Sequence, residues 1–365
     1  MKNIVNLGNV ATYINGYAFK PSDWAEDGTP IIRIQDLTGN SYQMNRFKGI
    51  VDSKYDVNSG DVLISWSASL GVYVWNRGNA VLNQHIFKVV FDKEEVDKDF
   101  FVFQIDNLLK RAANQAHGAT MRHLTKPVFD ALPFYLPDIK TQRLISSKLN
   151  LIVHLIEDHH EQLKKLDELI RSRFIEMFGD LINEPKYPGI KLGSLGVMIT
   201  GGTPSRKHDE YYGGNIPFIS TPCLGSNFIS EKNVQNYLTE AGVKNSATHK
   251  IPPYSLMVGN RVGVGKSSIN TCEMCTNQDI LSFVDIDTSR FDLLFLKKVI
   301  DQYSPYFDEH KRGATIQGVP SKVIKDSMVP DVPLEMQKRY TALVKQSDKS
   351  KLAVQKSLDE LEILK

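Results

Sequence analysis

The sequence predicts a mixed α/β (α+β) fold in which two similar globular domains are joined by two long helices. We expect the helices to form an antiparallel coiled coil and the two halves to be related by a pseudo-two-fold internal repeat. Three observations lead to this prediction. A long helical stretch lies in the middle of the 365-residue chain, and a second lies at its C-terminal end. Short motifs from the first half also recur in the same order in the second half.

The chain is long enough for two domains that each bury their own core. The predicted segments are a first globule at 1–140, a central long helix at 141–180, a second globule at 181–333 and a C-terminal long helix at 334–365. No apolar run approaches the roughly 18 residues of a membrane span, and the N-terminus has no apolar signal sequence. We therefore expect no membrane association and a cytoplasmic protein.

Short strand-like runs fill the first globule. Each run is rich in β-branched or aromatic residues and is bounded by turn residues such as Gly and Asn. A helix is predicted over Lys98–Asn114, and a polar loop follows it at His117–Thr120. The predicted strands lie within Pro30–Ile34, Val62–Ile64, Val72–Trp75 and Ile86–Phe91.

The central helix is predicted over Gln142–Phe178, where no Gly or Pro occurs. Apolar residues recur in steps of three and four, with His159 filling one gap, which is typical of a coiled-coil seam. At 1.5 Å per residue this helix spans roughly 55 Å. A long helix packed on a globular core is the alternative interpretation. The predicted interface residues on this helix are Leu149, Ile152, Ile156, Leu163, Leu166 and Ile170.

The second half of the chain repeats the plan of the first. The offset between matching motifs is about 185 residues at the start and settles near 195. Six matches in the same order, at a nearly constant offset, predict two copies of one fold. The matched pairs are Asn6–Gly8 with Lys191–Gly193, Pro30–Ile32 with Ile216–Ile219, Val62–Ile64 with Ser255–Met257, Asn83–Ile86 with Asn277–Ile280, His117–Thr120 with Arg312–Thr315, and Gln142–Arg143 with Gln337–Lys338.

The second long helix is predicted from Gln337 to Lys365. Its apolar seam is interrupted in the middle, where Ser347 and Ser350 are placed on the seam. Polar seam residues, including His159 on the first helix, can fix the register of a helix pair. The alternative for His159 is a half-exposed histidine that does not fix the register. The apolar residues of the predicted seam include Tyr340, Leu343, Val354, Leu358, Leu361 and Leu364, of which Leu343, Val354, Leu358 and Leu361 are the assigned interface residues.

Two stretches imitate catalytic motifs. Gly259–Ser267 resembles a phosphate-binding loop, but the G-x-x-x-x-G-K-[ST] spacing requires its first glycine at Asn260. The repeat aligns this stretch with a hairpin turn of the first half, so a hairpin is expected here as well. Ile251–Tyr254 resembles the (D/N)PPY motif of amino-methyltransferases, but Ile251 supplies no acceptor for the target amino group.

Neither metal nor redox chemistry is predicted. Cys272 and Cys275 form a lone C-x-x-C, whereas a structural zinc site needs four ligands. The histidines are scattered, and no Ser-His-Asp set or paired carboxylates occur. We expect no cofactor, no metal, no catalytic residue and no enzymatic activity in this chain alone.

The layout resembles the specificity (S) subunit of type I restriction-modification enzymes. The resemblance covers essentially the whole chain. It rests on the Gly-Ala-Thr loop before each long helix, the P-x-x-x-x-Q entry from Pro137 to Gln142, and the ending Phe174–Asp180 of the first helix. Two departures from symmetry occur at the second helix. It has no counterpart of Arg173–Asp180, and Val332 stands in the position of Pro137.

The resemblance implies that each globule is a target-recognition domain reading one half of a split, asymmetric DNA site. It also implies that the helix pair spaces the two readers and docks the modification subunits. The implied partners are double-stranded DNA, two modification (methyltransferase) subunits that methylate adenine, and restriction subunits that translocate and cleave DNA with ATP. A rigid spacer also fits the DNA geometry, because a duplex repeats every 34–36 Å or so. The alternatives are the recognition subunit of another multi-subunit restriction system and a coiled-coil scaffold protein that does not bind DNA.

Basic side chains on predicted loops are the candidate DNA contacts. Lys and Arg hold phosphates, and Arg also reads base edges. The net charge of +2 neither requires nor excludes nucleic acid, so any basic surface must be local. The alternative for each residue is a solvated surface charge. The candidates are Arg33, Arg77, Arg122 and His123 in the first globule and Arg206, Lys207, Arg261, Lys266, Lys311 and Arg312 in the second.

Overall fold

A computed structural model of the chain divides into two compact units. One comprises residues 1–157 with 361–365, and the other comprises residues 158–360. Among the described residues, no helix combines the length and the apolar character that crossing a bilayer requires. The structure describes residues 3–40, 43–67, 69–115, 125–313 and 317–364.

The described part of the first unit contains three small sheets, two short α-helices, one longer α-helix and the first half of the central helix. A four-stranded antiparallel sheet has the order β2-β10-β7-β8, a five-stranded sheet has the order β3-β5-β4-β9-β6, and β1 pairs with β11. Its main core contains the buried side chains of Phe87, Phe101 and Phe129. The strands are β1 (Ile4–Asn6), β2 (Thr12–Asn15), β3 (Trp24–Ala25), β4 (Thr29–Ile32), β5 (Arg46–Phe47), β6 (Asp56–Val57), β7 (Val62–Ser65), β8 (Gly71–Val74), β9 (Ala80–Leu82), β10 (Ile86–Val90) and β11 (Pro133–Tyr135), and the helices are α1 (Ile34–Leu37), α2 (Lys98–Gln115), α3 (Lys126–Asp130) and α4 (Ile139–Phe178), whose second half belongs to the other unit.

The second unit repeats this architecture with a larger core. Its main sheets have the orders β15-β23-β20-β21-β17 and β18-β16-β22-β19, while β14 pairs with β24 and β12 with β13. The strands are β12 (Gly179–Asp180), β13 (Glu184–Pro185), β14 (Gly189–Lys191), β15 (Val197–Thr200), β16 (Tyr212–Ile219), β17 (Phe228–Ile229), β18 (Asn236–Leu238), β19 (Lys250–Ile251), β20 (Leu256–Gly259), β21 (Ser267–Asn270), β22 (Met274–Thr276), β23 (Ile280–Val284) and β24 (Met328–Pro330), and the helices are α5 (Glu240–Lys244), α6 (Leu293–Gln302), α7 (Ser304–Glu309), α8 (Ser321–Lys325) and α9 (Leu334–Leu364).

The internal repeat is confirmed at the level of strand pairing. Strand β4 runs parallel to β9, and its counterpart β16 runs parallel to β22. The antiparallel hairpin β7–β8 has its counterpart in β20–β21. Helices α2 and α6 follow the last strand of the corresponding main sheet in each half. The mixed α/β class and the two long helices are therefore as predicted.

A buried glutamine fixes the entry to each long helix. The Gln142 side-chain oxygen accepts a hydrogen bond from the Asp97 backbone N–H at 2.9 Å, and its nitrogen donates to the Pro137 carbonyl at 2.8 Å. The Gln337 oxygen accepts from the Asp292 N–H at 2.9 Å, and its nitrogen donates to the Val332 carbonyl at 2.9 Å. Each residue in one set lies 195 positions from its counterpart. The glutamine of the P-x-x-x-x-Q entry is therefore structural, and Val332 replaces the proline without loss of the contact because the carbonyl is the acceptor.

Gln337→Met is expected to destabilise the second unit by about 2–3 kcal/mol, because the methionine keeps the volume but leaves buried backbone groups without partners. Gln337 is fully buried. Chemical unfolding would measure the loss. Lys338→Met is the control, since Lys338 is an exposed neighbour and exposed substitutions usually change stability by under about 0.5 kcal/mol. Equal stability of the two variants would contradict the role assigned to Gln337.

The two long helices run antiparallel within the second unit. His159 Nε2 lies 3.0 Å from Ser357 Oγ, and the Tyr340 hydroxyl donates to the Ile170 carbonyl at 3.4 Å. As the residue number rises along α4, the number of its partner on α9 falls. Each of the ten predicted interface residues is buried or half-buried, namely Leu149, Ile152, Ile156, Leu163, Leu166, Ile170, Leu343, Val354, Leu358 and Leu361.

Of the two serines predicted on the α9 seam, only Ser347 is buried, at 6% exposure. Ser350 is exposed, and Leu364 is 66% exposed. The histidine of α4 bonds Ser357. Val344 is buried although the sequence pattern passed over it. The prediction for Ser350 was wrong because several positions in the middle of α9 fit steps of three and four residues, and the pattern alone did not choose among them.

Candidate nucleic-acid interface

Three loops of the second unit meet beside the turn that follows β20. The Asn260 N–H donates to the Asp279 carbonyl at 3.0 Å, which joins this turn to the one between β22 and β23. The Val319 N–H donates to the Asn260 carbonyl at 2.7 Å, which joins it to the loop before α8. A Cβ atom at Gly318 would lie 2.6 Å from Arg261 Cγ. Glycine is therefore required for the third loop to approach so closely.

This junction carries two exposed guanidinium groups. Arg261 Nη1 lies 3.7 Å from Asp279 Oδ1, and the Arg261 side chain is 54% exposed. Arg312 is exposed, and its backbone pairs with Gly318 through bonds of 2.8 and 2.9 Å in both directions. Because Gly318 contacts Arg261, the fold brings these two predicted residues to one place. Lys311 precedes Arg312, and its ammonium lies 2.5 Å from Asp308 Oδ1.

Arg206 and Lys207 lie on an exposed loop between β15 and β16. The loop is anchored near its start, where the Thr203 hydroxyl donates to Gln278 Oε1 at 2.6 Å. Gln278 belongs to the same β22–β23 turn as Asp279. This contact positions the start of a further basic loop beside the junction.

Lys266 belongs to a different surface. It is exposed at the start of β21 and lines a cleft of 630 Å³ together with Lys298 and Lys351. In this cleft the buried Lys297 donates to both carboxylate oxygens of Asp301, at 3.0 and 2.8 Å. Burial lowers the pKa of Lys297, and the Asp301 carboxylate opposes that effect. Lys266 is thus not part of the Arg261–Arg312 junction.

The two arginines placed by the first unit are held by local contacts. The Arg77 guanidinium donates to the Asp36 carbonyl at 2.7 Å and lies 5.2 Å from the Trp75 ring centroid. The Arg33 guanidinium lies 5.3 Å from the Trp24 ring centroid, and the Arg33 N–H donates to Asp36 Oδ2 at 2.8 Å. Both arginines therefore converge on α1. The other predicted contacts, Arg122 and His123, lie outside the described residues.

Several buried polar atoms in or beside the turns at Asn83–His85 and Asn277–Asp279 have no hydrogen-bond partner among the described residues. They include Asn260 Oδ1, Asn277 Oδ1 and Asp279 Oδ1 in the second unit, and Asn83 Oδ1 and His85 Nδ1 in the first. Buried polar groups are usually hydrogen-bonded, so a group of buried polar atoms without hydrogen-bond partners is unusual. Sequence reasoning used the Asn-Gln pairs only as repeat markers. Their recurrence at equivalent turns was the available signal for a site.

The imitation motifs are structural. The phosphate-loop look-alike is the turn of the β20–β21 hairpin, and it leads into a strand where a phosphate-binding loop leads into a helix. The described residues contain no group of three or more His, Cys, Asp or Glu side chains placed to hold a metal ion. Burial raises the pKa of the Cys275 thiol to about 11, so the reactive thiolate form is disfavoured.

Comparison with known proteins identifies the family. A model described as the type I restriction modification DNA specificity domain matches residues 2–168 and again residues 187–362. The two matches cover most of the chain and coincide with the two halves of the repeat. The chain belongs to this family.

Relatives share modest identity with the chain. The specificity subunit of the type I restriction enzyme EcoBI from Escherichia coli is 25% identical over 170 residues, which is 46% of this chain and 35% of that protein. The MjaIX specificity subunit from Methanocaldococcus jannaschii is 26% identical over 155 residues, 42% of this chain and 36% of that protein. These matches span about a third of the length of each relative.

Solved structures share the fold. A chain from a structure concerning complex assembly and conformational transition of the type I R-M system has a TM-score of 0.67 at 16% identity, covering 99% of this chain and 95% of that one. The type I restriction-modification S subunit from M. genitalium has a TM-score of 0.55 at 12% identity, covering 100% of this chain and 94% of that one. Both matches cover both halves of the chain.

Proposed function

We propose that this chain is the DNA-binding specificity subunit of a type I restriction-modification system. Each globule would read one half of a bipartite, asymmetric DNA site, and the helix pair would set the spacing and dock two methyltransferase subunits. The observation that carries the proposal is that the specificity-domain model matches the chain twice, once in each repeat. This result disfavours a coiled-coil scaffold protein that does not bind DNA.

The two globules have different loop chemistry, which supports an asymmetric target. The described part of the first unit offers arginines stacked on Trp24 and Trp75. The second offers the Arg261–Arg312 junction, where the Asp279 carboxylate lies beside Arg261. Guanidinium groups read guanine or hold phosphate. Two unlike surfaces would select two unlike half-sites.

In this proposed function the chain has no catalytic residue and no cofactor of its own. Adenine methylation would belong to the modification subunits, and ATP-driven translocation and cleavage to restriction subunits. Arg206, Lys207, Lys311 and the two junction arginines would supply DNA contacts in the second globule, and Lys266 would contact DNA only along the separate cleft. An assembly that acts on DNA inside the cell would work in the cytoplasm.

DNA binding is expected to weaken steeply with salt, because each neutralised phosphate contributes a log–log slope of about −0.9. Methylome sequencing of a host with and without the chain would identify the target duplex. Fluorescence anisotropy over a series of salt concentrations would then measure the slope for the chain assembled with its modification subunits. Arg312→Ala is expected to reduce the slope by about one unit if Arg312 holds a phosphate.

Lys349→Ala provides the control, since Lys349 is an exposed lysine on α9 and removes the same charge away from the junction. We expect its slope to equal that of the unmodified chain. A flat salt dependence, or a methylome that does not change when the chain is deleted, would rule out the proposed function. Equal slopes for Arg312→Ala and Lys349→Ala would leave the function standing and remove Arg312 from the interface.

A further inference from the structure

The first unit contains an open apolar groove of 730 Å³. It lies between α2, the short sheet β1–β11 and the first turns of α4. Its apolar walls include Phe100, Leu108, Tyr135, Ile145 and Leu149. Tyr135 is 38% exposed, and Ile145 and Leu149 are only half-buried. An apolar groove of this size on a folded domain is typical of a binding site.

The repeat shows what fills the equivalent place in the second unit. The positions 195 residues after Phe100, Ile145 and Leu149 are Phe295, Tyr340 and Val344. All three are buried, at 0%, 0% and 1% exposure. They are covered by the last turns of α4: the Phe178 ring centroid lies 5.0 Å from that of Phe295 and 5.6 Å from that of Tyr340. The Phe174 ring centroid lies 5.4 Å from that of Tyr340.

The filled groove defines the chemistry of its occupant. The occupant is the end of an amphipathic helix that presents two aromatic side chains, Phe174 and Phe178, four residues apart on one face. Among the described residues, no such helix end covers the corresponding residues of the first unit, Phe100, Ile145 and Leu149. The same kind of helix end therefore fits the open groove.

We propose that the groove of the first unit docks a helical segment of a partner polypeptide carrying two aromatic residues one turn apart. A second copy of this chain is a poor source, because its Phe174 and Phe178 are 0% exposed in their own core. Residues 341–365 of α9 do not supply such a helix end, because they contain no aromatic side chain. Charges of both signs line the groove, including Asp106, Lys110 and Glu362, and suit the polar flanks of such a helix. The proposal does not depend on DNA binding.

A labelled synthetic peptide with the sequence of Lys165–Ile182 is the probe. Anisotropy with the full chain is expected to show saturable binding with a dissociation constant on the order of 1–100 µM. A peptide in which both phenylalanines are serine is expected to bind at least about tenfold more weakly. Absence of saturable binding, or equal affinity of the two peptides, would overturn the proposal.

Matched chain variants locate the binding. Ile4 lines the groove and is 60% exposed, whereas Ile50 is 99% exposed and does not line it. Ile4→Asp is expected to weaken peptide binding about tenfold or more, and Ile50→Asp to leave it unchanged; thermal unfolding of both would confirm that they fold. Equal effects would place the peptide elsewhere. Sedimentation showing self-association of the chain that Ile4→Asp abolishes would replace the partner by a second copy and overturn the proposal.

Discussion

Phe178→Ala is expected to lower the free energy of unfolding of the second unit by about 3–5 kcal/mol. The Phe178 side chain is fully buried and packs edge-on against the rings of Phe295 and Tyr340. Truncation removes both the transfer free energy of the ring and its contacts, and it leaves a cavity inside the largest core cluster. Since a domain is typically stable by only about 5–15 kcal/mol, this is a large share of the total.

Ile175→Ala is the matched control for this prediction. Ile175 lies on the same turn of α4 but is 42% exposed, so its truncation is expected to cost much less. Urea unfolding, followed by a probe in each unit, would separate the two halves of the chain. A loss for Phe178→Ala no greater than that for Ile175→Ala would show that the end of α4 does not belong to the core.

The sequence predicted the long helices and the repeat well because both leave periodic signals in one dimension. The seam of α4 follows from apolar steps of three and four. The end of α4 required more information. Ile170 and Phe174 continue the same period, yet they join the globular core of the second unit rather than a purely coiled-coil interface. The coiled-coil interpretation therefore applies to one part of α4, and the interpretation as a helix packed on a globular core applies to its end.

The candidate site could be predicted only in part. Arg261 and Arg312 were singled out as basic loop residues, but their neighbourhood depends on contacts between turns that are distant in sequence. Asp279 reaches Arg261 through strand pairing, and Gly318 reaches it through a loop. The residue types of a loop do not show which distant turns the fold will bring into contact with it. Arg33 and Arg77 illustrate a similar case, because their residue type did not reveal the backbone and aromatic contacts that hold them in place.

Leu163→Asp combined with Leu166→Asp is expected to destabilise the helix pair by about 3–6 kcal/mol. Both leucines are half-buried on α4, between the turn that bonds Ser357 and the turn that bonds Tyr340. Each new carboxylate would lose water on the face of α4 that turns towards α9 without gaining a cationic partner there. Lys351 of α9 already pairs with the Asp167 carboxylate of α4.

Thermal unfolding and co-purification with the modification subunit would measure the two consequences of this double substitution. We expect a lower unfolding midpoint for the second unit and loss of the assembly, because the proposed docking surface needs both helices side by side. Leu169→Asp places the same charge on the same helix at a residue that is 52% exposed, and its unfolding midpoint should stay unchanged. Retained assembly by the double variant would place docking on the globules. A normal midpoint in the double variant would mean that Leu163 and Leu166 do not hold the helices together.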